Sequence, residues 1–141
     1  MRISQTFSLA AVSVTLAALF FSRGGAAAAD STSEKWTTSV TQAAKKNPIA
    51  SSQTSIAAGQ KVYLKHCAGC HGKNGNGDGS GMADLGIQPS KLCDARLRTE
   101  PDGALFWKIS AGKKPMPGYG TRLSETDRWN LINYIRTLAP E

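Results

Sequence analysis

The sequence predicts an all-α domain, because three segments place apolar residues at helical spacing and no segment alternates in the manner of a β-strand. In the first segment Ile56, Gly59 and Tyr63 share one helical face, and Ser55 is the expected N-cap. This helix leads directly into Cys67. A helix at this place therefore presents a cysteine at its C-terminal end.

Two further helices complete the predicted fold. The second is expected to begin at Thr99 and Asp102, which form a capping-box-like pair, and to stop at Gly112. The third is expected to begin after the N-cap Ser124 and to end before Pro140. Its apolar residues at helical spacing are Leu131, Tyr134, Ile135 and Leu138. Glycine-rich loops account for much of the remaining chain.

The first 54 residues differ in composition from the rest. An apolar run over 9–21 is too short to span a bilayer comfortably and precedes small residues that suit signal peptidase, so 1–29 is predicted to be a secretory signal peptide. An uncleaved membrane anchor is the alternative. Residues 30–54 are rich in Ser, Thr, Ala and Lys and are predicted to be a linker or loosely packed N-terminal arm. The folded domain is then expected over 55–141.

Composition excludes several classes of function. A chain of 141 residues with 14 glycines holds one modest domain, which rules out a large multidomain enzyme. The net charge is +7, and removal of residues 1–29 leaves 15 basic and 10 acidic residues, or +5. An export signal argues against a nucleic-acid partner, and no cluster of catalytic acids, bases or nucleophiles is visible. A single globular domain with extra N-terminal segments remains.

The chemistry is concentrated in the motif Cys67-Ala-Gly-Cys70-His71. This CxxCH pattern is the attachment signature of c-type haem. Two cysteines one helical turn apart can form thioethers with the two vinyl groups of one porphyrin edge, and the following histidine can ligate the iron. The motif predicts one covalently bound haem c with His71 as proximal ligand.

Two other interpretations of these residues are weaker. A thioredoxin-like CxxC motif is expected in a βαβ context, which this sequence lacks. A structural zinc site needs four ligands, and the set would have to include Cys93 and His66. Cys93 is the odd cysteine, for which burial as a small hydrophobe and an intermolecular disulfide are the two hypotheses.

With these motifs the chain resembles the class I cytochrome c family over about 56–139. The resemblance rests on CxxCH at the end of a first helix, on Lys-Pro-Met116-Pro-Gly-Tyr119 well downstream, and on a closing helix with aromatic and aliphatic residues. It implies a small all-α fold with three or more helices around one covalent haem. It also implies that the first and last helices cross, with Gly59 and Tyr63 of the first against Leu131 and Tyr134 of the last.

The sixth iron ligand is predicted to be Met116. This residue lies between two prolines in a polar loop far enough along the chain to reach the distal face, and the family places its methionine ligand in such a loop. Met82 and an open sixth position are the alternatives. Some backbone acceptor should orient the His71 ring, and Pro89 is a candidate neighbour. Trp107 and Tyr119 are expected either against the haem, as in the family, or in the core.

The predicted function is that of a periplasmic one-electron carrier with His/Met ligation, rather than an enzyme. The alternatives are an electron-transfer subunit of a periplasmic dehydrogenase or reductase, and a haem-based ligand-binding or sensor protein. Redox proteins are the expected partners. The lysines that bracket the two ligands predict that such a partner docks through an acidic face. These are Lys65, Lys73, Lys113 and Lys114.

Overall fold

The structure, a computed structural model, describes residues 36–139, and for 83–85 it describes the backbone alone. The predicted signal peptide and the first residues of the predicted arm lie outside the described residues. Residues 36–139 form six α-helices and one 3-10 helix over Ser80–Leu85. The α-helices are α1 Val40–Ala43, α2 Gln53–His66, α3 Ala68–His71, α4 Arg96–Thr99, α5 Asp102–Ala111 and α6 Glu125–Leu138.

This part of the chain contains no β-strand, and its one β-bridge joins Lys113 to Met116. The predicted all-α class is confirmed. None of the helices within 36–139 has the length and apolar character needed to cross a bilayer.

The fold is organised by the crossing of α2 and α6, the first and last long helices. At the crossing, a Cβ on Gly59 would lie 2.0 Å from the backbone oxygen of Asn130 and 2.9 Å from the Cβ of Tyr134. Only glycine permits this approach. Tyr63 lies one turn further along α2, is fully buried, and packs against Tyr134 with ring centroids 5.2 Å apart. The crossing implied by the resemblance is therefore present at Gly59.

Local signals correctly predicted the C-terminal end of α5 and the start of α6 but not every cap. Ser124 caps α6 by accepting a hydrogen bond from the backbone N–H of Asp127, and Gly112 ends α5. The predicted N-cap of α2 is wrong, because Ser52 caps the helix and Ser55 lies within its first turn. The hydroxyl of Ser55 instead donates to Oδ1 of Asn130, 2.8 Å away in α6. The local pattern assigned the hydroxyl of Ser55 to a helix cap, whereas in the structure this hydroxyl bonds to a residue of a distant helix.

The predicted capping box before α5 is also wrong. Thr99 is the last residue of α4, and the hydroxyl of Thr99 donates to the carbonyl oxygen of Arg96. Pro101 occupies the N-cap position without a side-chain cap. Asp102 pairs instead with Arg136 of α6.

Residues 36–54 pack against α5 and α6, in contrast to the loose packing predicted from their composition. A Cβ on Gly103 of α5 would lie 2.3 to 2.8 Å from three carbonyl oxygens of this arm. Glycine at this position therefore lets the arm backbone pack directly against α5. The side-chain amide of Asn133 in α6 donates to the carbonyl oxygen of Ile49 and accepts from the amide of Asn47. The residues that hold the arm belong to other helices, which explains why the arm's own composition did not reveal them. The domain start at residue 55 stays a prediction.

Candidate haem-binding site

The CxxCH segment consists of Cys67, which follows α2, and the one-turn helix α3. Cys67 ends α2 and begins α3, and its backbone N–H donates to the carbonyl oxygen of Tyr63. The hydroxyl of Tyr63 donates in turn to the carbonyl oxygen of Gly72, 2.6 Å away, just after the motif. Gly72 has φ +79°, a backbone conformation that favours glycine. The long helix α2 therefore fixes both ends of the motif.

The imidazole of His71 is oriented by the loop that follows it. Nδ1 of His71 lies 3.0 Å from the carbonyl oxygen of Ser90 and donates to it in the tautomer that leaves Nε2 available to iron. The expected backbone acceptor is thus present, one residue beyond the Pro89 that the sequence indicated. Burial lowers the pKa of His71, and the hydrogen bond to Ser90 opposes part of that effect. Burial thus favours the neutral ring, which is the form that binds a metal.

The loop carrying Ser90 is held against the motif by backbone hydrogen bonds. The N–H of Gly77 donates to the carbonyl oxygen of His71 at 2.8 Å. The N–H of Leu92 donates to the carbonyl oxygen of Gly75 at 2.6 Å. The acceptor of the His71 ring is therefore part of a closed, hydrogen-bonded loop and is itself preorganised.

Cys67 and Cys70 are free thiols, and both are partly buried. Burial and the neighbouring Cys70 raise the pKa of Cys67 to about 12. A redox-active CxxC motif requires a lowered thiol pKa, so this environment disfavours the thioredoxin-like alternative. Within 36–139 no three His, Cys, Asp or Glu side chains are grouped to hold a metal ion, which leaves the zinc alternative without a ligand set.

Met116 and Met82 occupy different environments. Met116 is partly buried and packs against the central hydrophobic core, as does Cys67. Met82 is 9% exposed and belongs to the 3-10 helix Ser80–Leu85, the next helical element after the motif. The structure thus places Met116 and Cys67 of the CxxCH motif against the same core from separate parts of the chain. Two thiols, an oriented imidazole and a distant thioether form a donor set that fits haem c.

The other singled-out residues divide between core and surface. Tyr119 is 8% exposed and belongs to the core, and its hydroxyl donates to the carbonyl oxygen of His66 at 2.9 Å. Trp107 packs against Trp36 of the arm with ring centroids 6.2 Å apart. The thiol of Cys93 is partly buried and lies 3.1 Å from Oδ1 of Asn76, to which it donates. The link from Tyr119 to the residue before Cys67 had no signal in the sequence, because the partners are 53 positions apart.

The helical fold and this donor set define the class of the protein, a c-type cytochrome that serves in electron transfer rather than as an enzyme. The family model described as "Cytochrome C oxidase, cbb3-type, subunit III" matches residues 54–135. The chain therefore belongs to this family of cytochrome c domains.

Relatives in other organisms are consistent with this assignment. A cytochrome c6 from Synechococcus sp. is 32% identical over 80 residues, which cover 57% of this chain and 67% of that protein. A cytochrome c6 from Alaria esculenta is 27% identical over 79 residues, which cover 56% of this chain and 86% of that protein.

Solved structures show the same fold. A chain of the reducing HAO-like protein complex of Kuenenia stuttgartiensis aligns with a TM-score of 0.59 and 28% identity over 66% of this chain. The alignment spans 47% of that chain, so about half of it has no counterpart here. The c-type cytochrome KustC0563 aligns with a TM-score of 0.51 and 27% identity, over 58% of this chain and 98% of its own length.

Proposed function

We propose that this chain is an exported one-electron carrier with a single haem c, bound covalently through Cys67 and Cys70 and ligated by His71 and Met116. The observation that carries the proposal is the motif geometry. Two partly buried free thiols flank one helical turn, and the imidazole that follows already has its Nδ1 engaged by Ser90. That hydrogen bond leaves Nε2 as the ring nitrogen whose lone pair is available to ligate iron.

Each of these residues has a distinct task in the proposed carrier. Haem c, when bound, supplies reversible one-electron exchange at its iron. Ser90 holds the imidazole of His71 in one tautomer and orientation. The prolines on both sides of Met116 limit the freedom of the loop, which favours a weak thioether bond. Histidine and methionine together raise the potential and leave no open position for a substrate.

The haem attachment and its ligands are tested on the exported protein. Denaturing extraction should leave the haem on the polypeptide, because thioethers are covalent. Met116→Ala should abolish the thioether-to-iron absorption band near the red end of the oxidised spectrum and lower the potential, whereas Met82→Ala should change neither. Haem released by extraction would contradict covalent attachment. A band that survives Met116→Ala and disappears with Met82→Ala would assign the ligand to Met82.

Export is tested by the mass of the protein recovered from the periplasm of an expressing bacterium. Cleavage before Asp30 removes residues 1–29, and the predicted mature chain then starts at that residue. A full-length chain recovered with the membrane fraction would support the retained anchor instead.

The proposed partner surface consists of Lys65, Lys73, Lys113 and Lys114, which are all exposed. In sequence they bracket His71 and Met116. A positive rim of this kind steers an acidic protein and raises the association rate, and salt screens the effect beyond about 10 Å at roughly 0.1 M.

The test of this surface is the bimolecular electron-transfer rate to a physiological acceptor across ionic strength. Lys114→Glu should lower the rate at low salt and flatten its salt dependence. Lys46→Glu is the matched control, because it makes the same change of charge on the exposed part of the arm. Equal effects of the two substitutions would show that net charge acts and would exclude a localised docking surface.

A second candidate function is an electron-transfer subunit of a larger oxidoreductase. One observation favours it, since a chain of the HAO-like complex contains this fold within a longer polypeptide. The described part of the arm, in which Trp36 packs against Trp107 of α5, offers a surface for such an assembly. Copurification from the native host separates the two functions, because a free carrier elutes alone at low mass.

A further inference from the structure

The Met116 loop, residues 112–120, is fastened to the domain at a few defined points. Within the loop, Lys113 and Met116 exchange two backbone hydrogen bonds of 3.1 and 2.8 Å. At its C-terminal end, the N–H groups of Tyr119 and Gly120 donate to carbonyl oxygens in the last turn of α5, at 2.9 and 3.0 Å. The first set shapes the loop, and the second set ties the loop to α5.

Tyr119 joins this loop to α5, to α2 and to the segment before α6. The N–H of Tyr119 donates to the carbonyl oxygen of Ile109 in α5, and the carbonyl oxygen of Tyr119 accepts from the N–H of Leu123 before α6. The hydroxyl of Tyr119 donates to the carbonyl oxygen of His66, the last residue of α2, at 2.9 Å. The ring packs against the imidazole of His66 with centroids 5.8 Å apart. One side chain thus bridges the Met116 loop and the end of α2.

The hydroxyl bond matters because of where His66 lies. Carbonyl groups in the last turn of a helix have no partner within that helix, and Tyr119 satisfies the one that directly precedes Cys67. The bond therefore links the Met116 loop to the haem-attachment segment through protein alone, independently of the iron. The side chain is 8% exposed, so water has little access to this bond.

We propose that Tyr119 is a positioning residue that holds the Met116 loop closed over the haem site and restricts the access of external ligands to the sixth iron position. The inference rests on the proposed His/Met ligation and extends it. The loop opens when Met116 leaves the iron, and with Tyr119 as the bridge that movement must also break the bond from the hydroxyl to His66.

The test measures the affinity of the oxidised, haem-loaded protein for imidazole, which must displace Met116 to bind. Removal of one buried hydroxyl bond by Tyr119→Phe should raise the apparent affinity about fivefold, equivalent to about 1 kcal/mol. The thioether-to-iron band in the absence of imidazole should persist, since the ring and Met116 remain. If Tyr119 had only a structural role, Tyr119→Phe would not both retain the thioether-to-iron band and make Met116 easier to displace by imidazole.

The matched control is Ser55→Ala. Ser55 also donates a buried hydroxyl from α2, to Oδ1 of Asn130 in α6 at 2.8 Å, but this bond involves neither the Met116 loop nor the CxxCH motif. Ser55→Ala should leave imidazole affinity at the parent value. An affinity of Tyr119→Phe equal to that of the parent, or an equal rise in both variants, would overturn the proposal.

Hydrogen exchange on the unsubstituted protein gives a second measurement that needs no variant. Imidazole binding should speed exchange of the Tyr119 and Gly120 amides, because these bonds to α5 lie on the opening segment, and should leave the amides of α6 protected. Unchanged protection at Tyr119 would show that Met116 leaves without it and would also overturn the proposal. The spectrum of the unsubstituted protein distinguishes failure of this proposal from failure of the proposed Met116 ligation. If Met116 did not ligate the iron, that spectrum would lack the thioether-to-iron band.

Discussion

Gly59→Ala should destabilise the domain even though alanine is the better helix former. The new Cβ would lie 2.0 Å from the backbone oxygen and 2.6 Å from the carbonyl carbon of Asn130. These are backbone atoms, so no side-chain rotation relieves the contact, and α6 must move away by about 1.5 Å to reach van der Waals separation. Movement of that size loosens a helix that buries Trp129, Leu131 and Ile132 almost completely.

The expected magnitude follows from two opposing terms. Overpacking of a tight core costs about 3 kcal/mol at the upper end of its usual range, and we expect that end because the clash is with backbone. Replacement of glycine by alanine inside a helix stabilises the helix by about 1 kcal/mol. The net loss of about 2 kcal/mol should lower the melting temperature of a domain of this size by about 10 °C.

The assay is thermal unfolding of the haem-loaded protein, followed by circular dichroism of the helices. Ala57→Gly is the control, because Ala57 lies on the exposed side of the same helix and its replacement measures helix propensity alone. The control should lower the melting temperature by about 5 °C. A rise in melting temperature for Gly59→Ala would mean that propensity acts unopposed and that the helices do not cross at this residue.

Three further outcomes are expected. Cys67→Ala/Cys70→Ala should yield a largely unfolded apoprotein, because so small a domain buries too little apolar area without haem; a cooperative melt with native helix content would refute this. Asn133→Ala should lower the free energy of unfolding in urea by about 2 kcal/mol, because it leaves buried partners such as Ser55 with an unmade hydrogen bond, whereas the exposed Thr137→Ala should change little. The reduced protein should bind carbon monoxide slowly, and rapid binding would instead support the sensor function.

The sequence predicted what depends on neighbouring residues. The start of α6 at Ser124, the end of α5 at Gly112 and the haem motif are all local patterns, and the structure has the helix ends where the patterns place them. Gly59 was identified through a family resemblance, since a lone glycine in a helix does not reveal what approaches it. The CxxCH motif likewise needed no tertiary information to predict haem.

What depends on distant partners was missed. Serine is a typical N-cap residue, but the hydroxyl of Ser55 bonds to Asn130, 75 positions away. The arm has few apolar residues, and its packing depends on the lack of a side chain on glycine at position 103 and on the amide of Asn133. Tyr119 was expected either against the haem or in the core, and its hydroxyl bond was not predicted because the partner lies 53 positions earlier in the chain. Long-range hydrogen bonds leave no periodic trace in a sequence.

The crossing of α2 and α6 also constrains the order in which the domain assembles. Gly59 and Asn130 are 71 positions apart, so most of the domain must close into one long loop before this contact forms, and such closure costs entropy in advance. In the proposed export, translocation from the N-terminus would deliver Cys67 and Cys70 well before α6. Cys67, which packs against the core of the finished domain, would then stay accessible for haem attachment until the last helix arrives. Translocation would thus provide an interval in which haem is joined to an incomplete fold.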